Sequence, residues 1–124
     1  MNYVQLRATD TVDMRRLLKG TMRLRPDRIV VGEVRGGEAL DMLKAWNIGH
    51  PGGCCTVHAN NARAAVIRIE QLIQEVSQSP MRRLIAEAID LVVSIAMTSA
   101  GRRVQEVLSV EVDRDDYVFT DRSN

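Results

Sequence analysis

Two short segments limit the folds open to this chain more than any other feature. The first, Arg28-Ile-Val-Val-Gly-Glu-Val-Arg35, runs from apolar and small residues directly into an acid, Glu33. An uninterrupted apolar run is typical of a buried parallel strand, and the residue that follows it lies at the rim of the sheet. The second, Gly49-His-Pro-Gly-Gly-Cys-Cys-Thr-Val-His-Ala-Asn60, leads into another strand, which ends at His58. The sequence therefore predicts an α/β sheet with an acid and a histidine at successive strand ends.

Turn residues and hydrophobic periodicity divide the rest of the chain into further elements. Residues 9–11 offer N-caps for a first helix, Asn60 or Asn61 for a third, and Ser79 with Pro80 for a fourth. In chain order, the predicted elements are a strand over 3–8, a helix over about 12–22, a strand ending at 33, a helix from 36–37 to 49, a strand over 54–58, a helix through 66–76, a helix over about 80–89, and strands over 91–97, 104–112 and 117–119. This order predicts an α/β domain with an antiparallel edge.

Composition and charge narrow the class of protein. With 124 residues, of which 45% are hydrophobic and 27% charged, the chain is expected to form at most one globular domain. Residues 1–35 hold eight lysines and arginines against four acids, but the formal net charge is only +1, which argues against direct binding of nucleic acid. No stretch is long and apolar enough to span a membrane, and we expect a cytoplasmic protein.

The candidate chemistry centres on Glu33 and His58. A carboxylate at a strand end can orient and partly deprotonate an attacking water, or hold Mg²⁺ through that ion's water shell. A histidine beside a phosphate site can contact the terminal phosphate of ATP and respond to its loss. These residue types predict the catalytic half of an ATP-hydrolysing site. The alternative for Glu33 is a solvent-facing acid at a strand end.

Further candidates for phosphate contact are His50, Arg23 and Arg35. His50 could contact phosphate or could order the Gly-rich loop in which it lies. The guanidinium fork matches phosphate oxygens, especially when a neighbouring subunit supplies it, although both arginines could instead pair with Asp27, Glu38 or other surface acids.

Other metal or disulfide chemistry is not expected. Two histidines without a nearby carboxylate pair do not predict a zinc site. Cys54 and Cys55 are adjacent, so on a strand they point to opposite faces, and we interpret them as small apolar strand residues.

Three runs of sequence resemble a known family. They are 18–41, which contains Leu-Arg-Pro-Asp-Arg-Ile-Val-Val-Gly-Glu-Val-Arg-Gly-Gly-Glu, then 42–53, which contains Trp-Asn-Ile-Gly-His-Pro-Gly-Gly, and Thr-Val-His-Ala-Asn at 56–60. The chain resembles the type II/IV secretion (traffic) ATPases, and within them the conjugal-transfer branch. The likeness is close over about 3–75 and looser beyond.

The resemblance implies a role for each motif. Gly32 and Glu33 would form the Walker B element, 49–60 the histidine box, and Arg23 would fall on an arginine-box position. It also implies that 1–124 is the C-terminal part of a RecA-like P-loop NTPase domain. The complete protein would use ATP and Mg²⁺, assemble as a homo-hexamer, and work with channel components at the cytoplasmic face of the inner membrane.

The chain departs from the family pattern in ways that leave alternatives open. It contains no Gly-x-x-x-x-Gly-Lys-Ser/Thr loop, so the phosphate-binding loop and the N-terminal domain would precede residue 1, and apolar surface beside the Glu33 strand should be exposed. Gly37 stands where an acidic residue or proline is commoner. We therefore expect no ATP hydrolysis by these 124 residues alone. The alternatives are a non-catalytic module that retains subunit contacts, or a fragment of a type IV pilus or type II secretion motor.

Overall fold

The computed structural model describes residues 4–9 and 12–123 and forms four helices and five strands in that part of the chain. In chain order they are α1 (Met14–Thr21), β1 (Val30–Val31), α2 (Glu38–Asn47), β2 (Cys54–Cys55), α3 (Ala62–Ile73), α4 (Arg82–Ala88), β3 (Leu91–Thr98), β4 (Gly101–Asp113) and β5 (Asp116–Asp121). A 3₁₀ turn, Met22–Leu24, follows α1. β1 and β2 form a parallel pair, and β3, β4 and β5 form an antiparallel sheet in that order. The predicted combination of a parallel sheet with an antiparallel C-terminal hairpin is confirmed.

The parallel pair is short and covered on one face. Val30 lies opposite Cys54, and Val31 lies opposite Cys55. The Val31 side chain is buried, whereas Val30 is 67% exposed. Burial on both faces was thus a wrong prediction for this strand, because nothing in the described part of the chain covers the outer face. Val30 thus adds exposed apolar surface on the strand that leads to Glu33, and the expected exposure beside that strand stays a prediction.

The antiparallel sheet carries apolar side chains on both of its faces. Its inner face packs against α3 and α4, and includes the buried Leu108 and Val110. On the outer face Ile95 lies opposite Val104, and both are exposed. The predicted hairpin and third strand are confirmed, but the solvated face holds more apolar residues than an ordinary hairpin surface: Leu91, Val93, Ile95, Met97, Val104 and Val118.

One cluster of buried side chains joins the two sheets. Its members come from α1, β1, α2, α3, α4 and β4, and the fully buried side chains at its centre include Met42, Leu43, Leu72, Ile73 and Ile85. α2 packs against α1, α3 and α4, and α3 and α4 pack against the antiparallel sheet. Val31 and Val34, on either side of Glu33, belong to the same buried cluster as Val110 of β4.

A buried acid also fastens the helices to the antiparallel sheet. Glu70 on α3 accepts hydrogen bonds from the guanidinium of Arg82 on α4, at 3.2 Å from Nε to Oε2, and from the hydroxyl of Tyr117 on β5, at 2.8 Å. Burial, reinforced by the bond to Glu70, raises the pKa of Tyr117 well above its ordinary value. The phenol therefore remains a hydrogen-bond donor, and Glu70 has a structural role.

The predicted N-terminal strand is wrong. Residues 4–8 have no strand structure and their side chains are exposed, while Tyr3 lies outside the described residues. Alternation alone does not make a strand, because its backbone groups need a neighbouring strand to pair with. The cap of α1 also differs from expectation: Oδ1 of Asp13 accepts from the backbone N–H of Arg16, whereas the Thr9 hydroxyl accepts from that of Val12. Residues 10–11 lie outside the described part.

Two helix starts illustrate how local rules succeed and fail. Asn61 caps α3 as predicted, with its Oδ1 accepting from the backbone N–H of Ala64 at 2.8 Å. For α4, Pro80 was expected at the first helical position, but the helix begins at Arg82, after Met81 in a left-handed conformation with φ of +59°. The Ser79 hydroxyl accepts from the backbone N–H of Met81 instead. A local turn thus delays α4 by two residues.

The unusual glycine at position 37 has a packing explanation. A Cβ atom at Gly37 would lie 2.4 Å from Cγ1 of Val76, which follows α3. No side chain fits there unless Val76 moves.

Across the described residues, no helix is both long and apolar enough to cross a membrane.

Candidate functional site

The parallel pairing of β1 and β2 brings the loops that follow them to one edge of the sheet. Parallel strands end at the same edge, so the residues after Val31 and Cys55 become neighbours. The backbone N–H of Val34 donates to the carbonyl of Thr56 at 2.9 Å, and the Thr56 hydroxyl donates to the carbonyl of Gly32. These two bonds hold the loops together on either side of Glu33.

Glu33 contacts His58 and Arg35 at this edge. Its Oε1 lies 2.6 Å from Nε2 of His58, and its Oε2 accepts a hydrogen bond from Nε of Arg35. The side chain of Glu33 is only 18% exposed, whereas those of His58 and Arg35 are 94% and 81% exposed. The carboxylate is therefore held beneath two side chains that reach into solvent, and both of its oxygens are oriented.

Glu38 fixes the loop that carries Arg35. It lies in the first turn of α2, is buried, and its Oε1 accepts from the backbone N–H groups of Arg35 at 2.8 Å and Gly36 at 3.2 Å. An acid at this place also interacts favourably with the helix dipole. Sequence reasoning treated Glu38 only as a partner for an arginine side chain. The available signal was its position directly after Gly36-Gly37, at the start of the helix.

His50, in the loop after α2, and Trp46, on α2, bind backbone groups of the segment that leads into β1. Nδ1 of His50 is 2.7 Å from the carbonyl oxygen of Pro26, and Nε1 of Trp46 donates to the carbonyl of Ile29 at 3.1 Å. A Cβ atom on Gly53 would lie 2.3 Å from Nε1 of Trp46, so only glycine permits this close approach. The hydrogen bond supports the loop-ordering interpretation of His50. Contact between His50 and phosphate stays a prediction.

The two candidate arginines occupy different surroundings. Arg35 pairs with Glu33 rather than with Asp27 or the carboxylate of Glu38. Arg23 lies exposed on the 3₁₀ turn after α1, and its side chain makes no hydrogen bond or ion pair to any described residue. The fold does not bring Arg23 into contact with Glu33 within this chain.

A cavity of about 270 Å³ opens beside the acid and the histidine. Its lining is formed by Glu33, Val34, Arg35, Val57, His58 and Arg68. Arg68 comes from α3, the helix that begins shortly after His58. Sequence analysis missed Arg68, since an arginine in a helix carries no local signal of the cavity that the helix will border.

The donor set does not form a metal site of its own. No cluster of three or more histidine, cysteine, aspartate or glutamate side chains capable of holding a metal occurs within residues 4–9 and 12–123. Glu33 is a single carboxylate, which fits contact with Mg²⁺ through water better than direct coordination by several protein ligands. Burial raises the pKa of the Cys55 thiol to about 11, so this thiol stays protonated at neutral pH and is a poor ligand.

The sequence resembles curated proteins of conjugal transfer. It is 63% identical over 110 residues to a protein named "Probable conjugal transfer protein TrbB" from Sinorhizobium fredii, covering 89% of this chain and 34% of that protein. It is 58% identical over 120 residues to "Conjugal transfer protein TrbB" from Rhizobium radiobacter, covering 97% of this chain and 37% of the relative. The chain thus spans about a third of the length of these relatives.

The fold resembles part of one solved ATPase structure. That structure is the VirB11 ATPase from the Brucella suis type IV secretion system in complex with sulphate. It superposes with a TM-score of 0.71 and 29% identity, over 75% of this chain and 30% of the other. The sequence also matches the family described as "Type II/IV secretion system protein" over residues 1–119. Fold, sequence and the edge that joins Glu33 to His58 agree, and the chain belongs to the type II/IV secretion system protein family.

Proposed function

We propose that this chain is the C-terminal part of a RecA-like ATPase domain that couples ATP binding and hydrolysis to conjugal DNA transfer through a type IV secretion machine. The observation that carries the proposal is the 2.6 Å contact between Glu33 and His58, on the loops that follow two parallel strands. The names of the most similar relatives favour conjugation over a type IV pilus or type II secretion motor.

Glu33 is the proposed catalytic carboxylate of this site. Its carboxylate accepts a hydrogen bond from the attacking water and directs the water oxygen toward the terminal phosphorus of ATP. Phosphoryl transfer passes through a loose transition state, so orientation and charge matter more than early removal of the water proton. Arg35 and His58 hold the two carboxylate oxygens in a fixed orientation, which favours this geometry.

His58 is proposed to respond to the terminal phosphate. Its Nε2 can donate one hydrogen bond, so donation to Glu33 and donation to a phosphate oxygen exclude each other. Because the ring is almost fully exposed, it can move between these two acceptors without breaking core packing. Such an exchange would link the presence of phosphate to the freedom of the Glu33 carboxylate and of the loop after β2.

The remaining groups are assigned around this pair. Mg²⁺, when bound with ATP, neutralises phosphate charge, and Glu33 would hold it through water. Gly32 lets the backbone approach the nucleotide, while Arg23, Arg35 and His50 are proposed to contact phosphate oxygens. Arg23 is exposed and free to serve a neighbouring subunit of a homo-hexamer. The complete protein would act in the cytoplasm, at the inner membrane through channel partners, with no direct contact to nucleic acid.

A chimera provides the test of catalysis. This chain replaces the matching segment of the Rhizobium radiobacter relative, which supplies the rest of the protein. In that chimera Glu33→Gln should reduce kcat by about 100- to 10,000-fold, the usual contribution of a positioned acid–base group, while ATP binding persists. Glu111→Gln, which alters an exposed acid on β4, should leave kcat unchanged. Retention of most of the activity in Glu33→Gln would refute the assignment.

The chain alone provides the test of the non-catalytic alternative. If it retains subunit contacts without hydrolysing ATP, an excess of it should depress hydrolysis by the full-length relative through mixed rings. Hydrolysis by the chain itself would contradict the expectation that the upstream phosphate-binding loop is required. No depression at large excess would argue against retained subunit contacts.

A further inference from the structure

The cavity beside Glu33 contains one cation without an acidic partner. Both oxygens of Glu33 are already engaged, one by His58 and the other by Arg35. Arg68 makes a single hydrogen bond within the described residues, to the neutral amide oxygen of Gln71 at 3.4 Å. The guanidinium of Arg68 therefore leaves the cavity with a positive charge that no carboxylate of the described chain compensates, and such a site favours an anion.

The size of the cavity limits which anion it can hold. Pockets for drug-sized ligands occupy about 300–1,000 Å³, and this cavity of about 270 Å³ falls just below that range. Four of the six residues that line it carry charged or polar side chains, and Val34 and Val57 are apolar. These features suit one phosphate group with several acceptor oxygens.

The packing of α3 holds the backbone of Arg68 in place beside the cavity. The neighbouring residues Val66 and Ile69 are buried in the core, and Asn61 caps the start of the helix. The backbone of Arg68 is therefore held by packing, while its guanidinium is exposed to solvent on the cavity side. A planar fork on a rigid element can make two parallel hydrogen bonds to one phosphate group.

We propose that Arg68 binds phosphate oxygens in the cavity that it lines together with Glu33 and His58. The proposal rests on the proposed function for the origin of that phosphate, which is either the terminal group of ATP or free phosphate after hydrolysis. Arg68 is thus a phosphate-binding residue additional to Arg23, Arg35 and His50.

The first test measures phosphate binding without catalysis. The 124-residue chain is titrated with inorganic phosphate at constant ionic strength, and the arginine Nε–Hε resonances are followed by NMR. We expect saturable shifts that Arg68→Gln weakens by about tenfold, as suits the loss of a charge-assisted hydrogen bond. Arg68→Lys should be intermediate, because it keeps the charge but not the fork. Arg83→Gln removes an exposed arginine on the neighbouring α4 and should change nothing.

Equal phosphate affinity in the parent and Arg68→Gln, or no saturable binding by the parent, would overturn the proposal. If the chain fails to give a folded NMR spectrum, the same titration is carried out on the chimera described above. An equal loss in Arg83→Gln would likewise overturn the proposal, since it would show a general effect of charge.

The second test separates the two sources of phosphate and uses the chimera. If the cavity holds the terminal group of ATP, Arg68→Gln weakens binding of ATP but not of ADP. If it holds free phosphate, Arg68→Gln raises the inhibition constant of inorganic phosphate about tenfold and leaves ATP affinity unchanged. Unchanged values in all three measurements would overturn the proposal. An inactive parent chimera, or a fully active Glu33→Gln variant, would instead count against the proposed function, because the phosphate titration judges Arg68 independently.

Discussion

The antiparallel sheet β3–β5 is held mainly by hydrogen bonds between strand backbones, whereas the parallel pair β1–β2 depends more on hydrogen bonds from side chains. The antiparallel strands β3 and β4 are paired at eight positions and joined by a two-residue turn. The parallel strands are paired at only two positions. Beyond those positions, Thr56, Glu38 and Trp46 bind backbone groups of the adjoining loops. The candidate site therefore lies just beyond the paired strands, where side-chain hydrogen bonds rather than strand pairing hold the backbone.

This difference assigns separate tasks to the two regions. A long ladder of backbone bonds tolerates many side chains, since each pair contributes little by itself. The parallel pair is a short ladder whose adjoining loops depend on a few side-chain contacts. These contacts hold the backbone that carries Glu33 and His58 in one geometry. We expect substitutions near the parallel pair to affect position and activity, and substitutions on the outer face of the antiparallel sheet to be nearly silent.

The largest effect should come from removing a side chain that supports both regions. Ile73 on α3 is fully buried in the cluster that joins the two sheets. Ile73→Ala should lower the free energy of unfolding by about 2–5 kcal/mol, because it removes apolar contacts and leaves a cavity. Urea denaturation followed by fluorescence of the single tryptophan, Trp46, and by far-UV circular dichroism measures the loss for each region.

The two signals should move together in Ile73→Ala, since the regions share one core. Ile67→Ala, at an exposed position of the same helix, serves as the matched control and should cost much less. Two separate transitions in Ile73→Ala would show that the parallel pair and the antiparallel sheet unfold independently, and the comparison would then concern two separate units.

The sequence predicted an element correctly where the residues that form a local pattern also find a bonding partner in the fold. The hairpin β3–β4 and the cap at Asn61 were predicted because turn residues and alternation act over a few neighbours. The same alternation at residues 4–8 gave a wrong strand, since no neighbouring strand pairs with it in the described chain. The prediction that Val30 is buried was wrong for a related reason, because an apolar run does not show whether both faces of the strand will be covered.

The sequence predicted the part of the candidate site that depends on where the parallel strands end. The neighbouring positions of Glu33 and His58 follow from two apolar runs that end at the same edge of a parallel sheet, and the two side chains are in contact. Their catalytic roles stay predictions. The sequence could not predict the position of Arg68, because that position depends on how α3 packs beside the loops that carry Glu33 and His58. Glu38 was named for the wrong partner, since its carboxylate binds backbone N–H groups.

A smaller effect is expected from adding one methyl group beneath the parallel pair. In Gly53→Ala the new Cβ would lie 2.3 Å from Nε1 of Trp46 and 2.4 Å from the carbonyl oxygen of Ile29. Relief of this overlap should cost about 1–3 kcal/mol of unfolding free energy and displace β2 from β1. Urea denaturation measures the cost, and the emission maximum of Trp46 reports the altered surroundings.

Gly20→Ala is the matched control for that substitution. Gly20 lies in α1, and a Cβ atom there meets no atom within 4 Å. Alanine should stabilise that helix by about 0.5–1 kcal/mol, since it loses less backbone entropy than glycine on folding. Equal stability of Gly53→Ala and the parent would mean that the close approach of Trp46 to the loop before β2 is not a constraint on the site.

The smallest effect should occur on the outer face of the antiparallel sheet. Ile95 is 61% exposed, and threonine keeps a β-branched side chain suited to a strand, so Ile95→Thr should change the unfolding free energy by less than about 0.5 kcal/mol. Val110→Thr on the buried face of the same sheet should cost about 1–3 kcal/mol by burying a hydroxyl. A cost above 1 kcal/mol for Ile95→Thr that grows with protein concentration would mean that a second copy covers this face. The outer face would then contribute to stability through association, and the antiparallel sheet would depend on side-chain contacts as the parallel pair does.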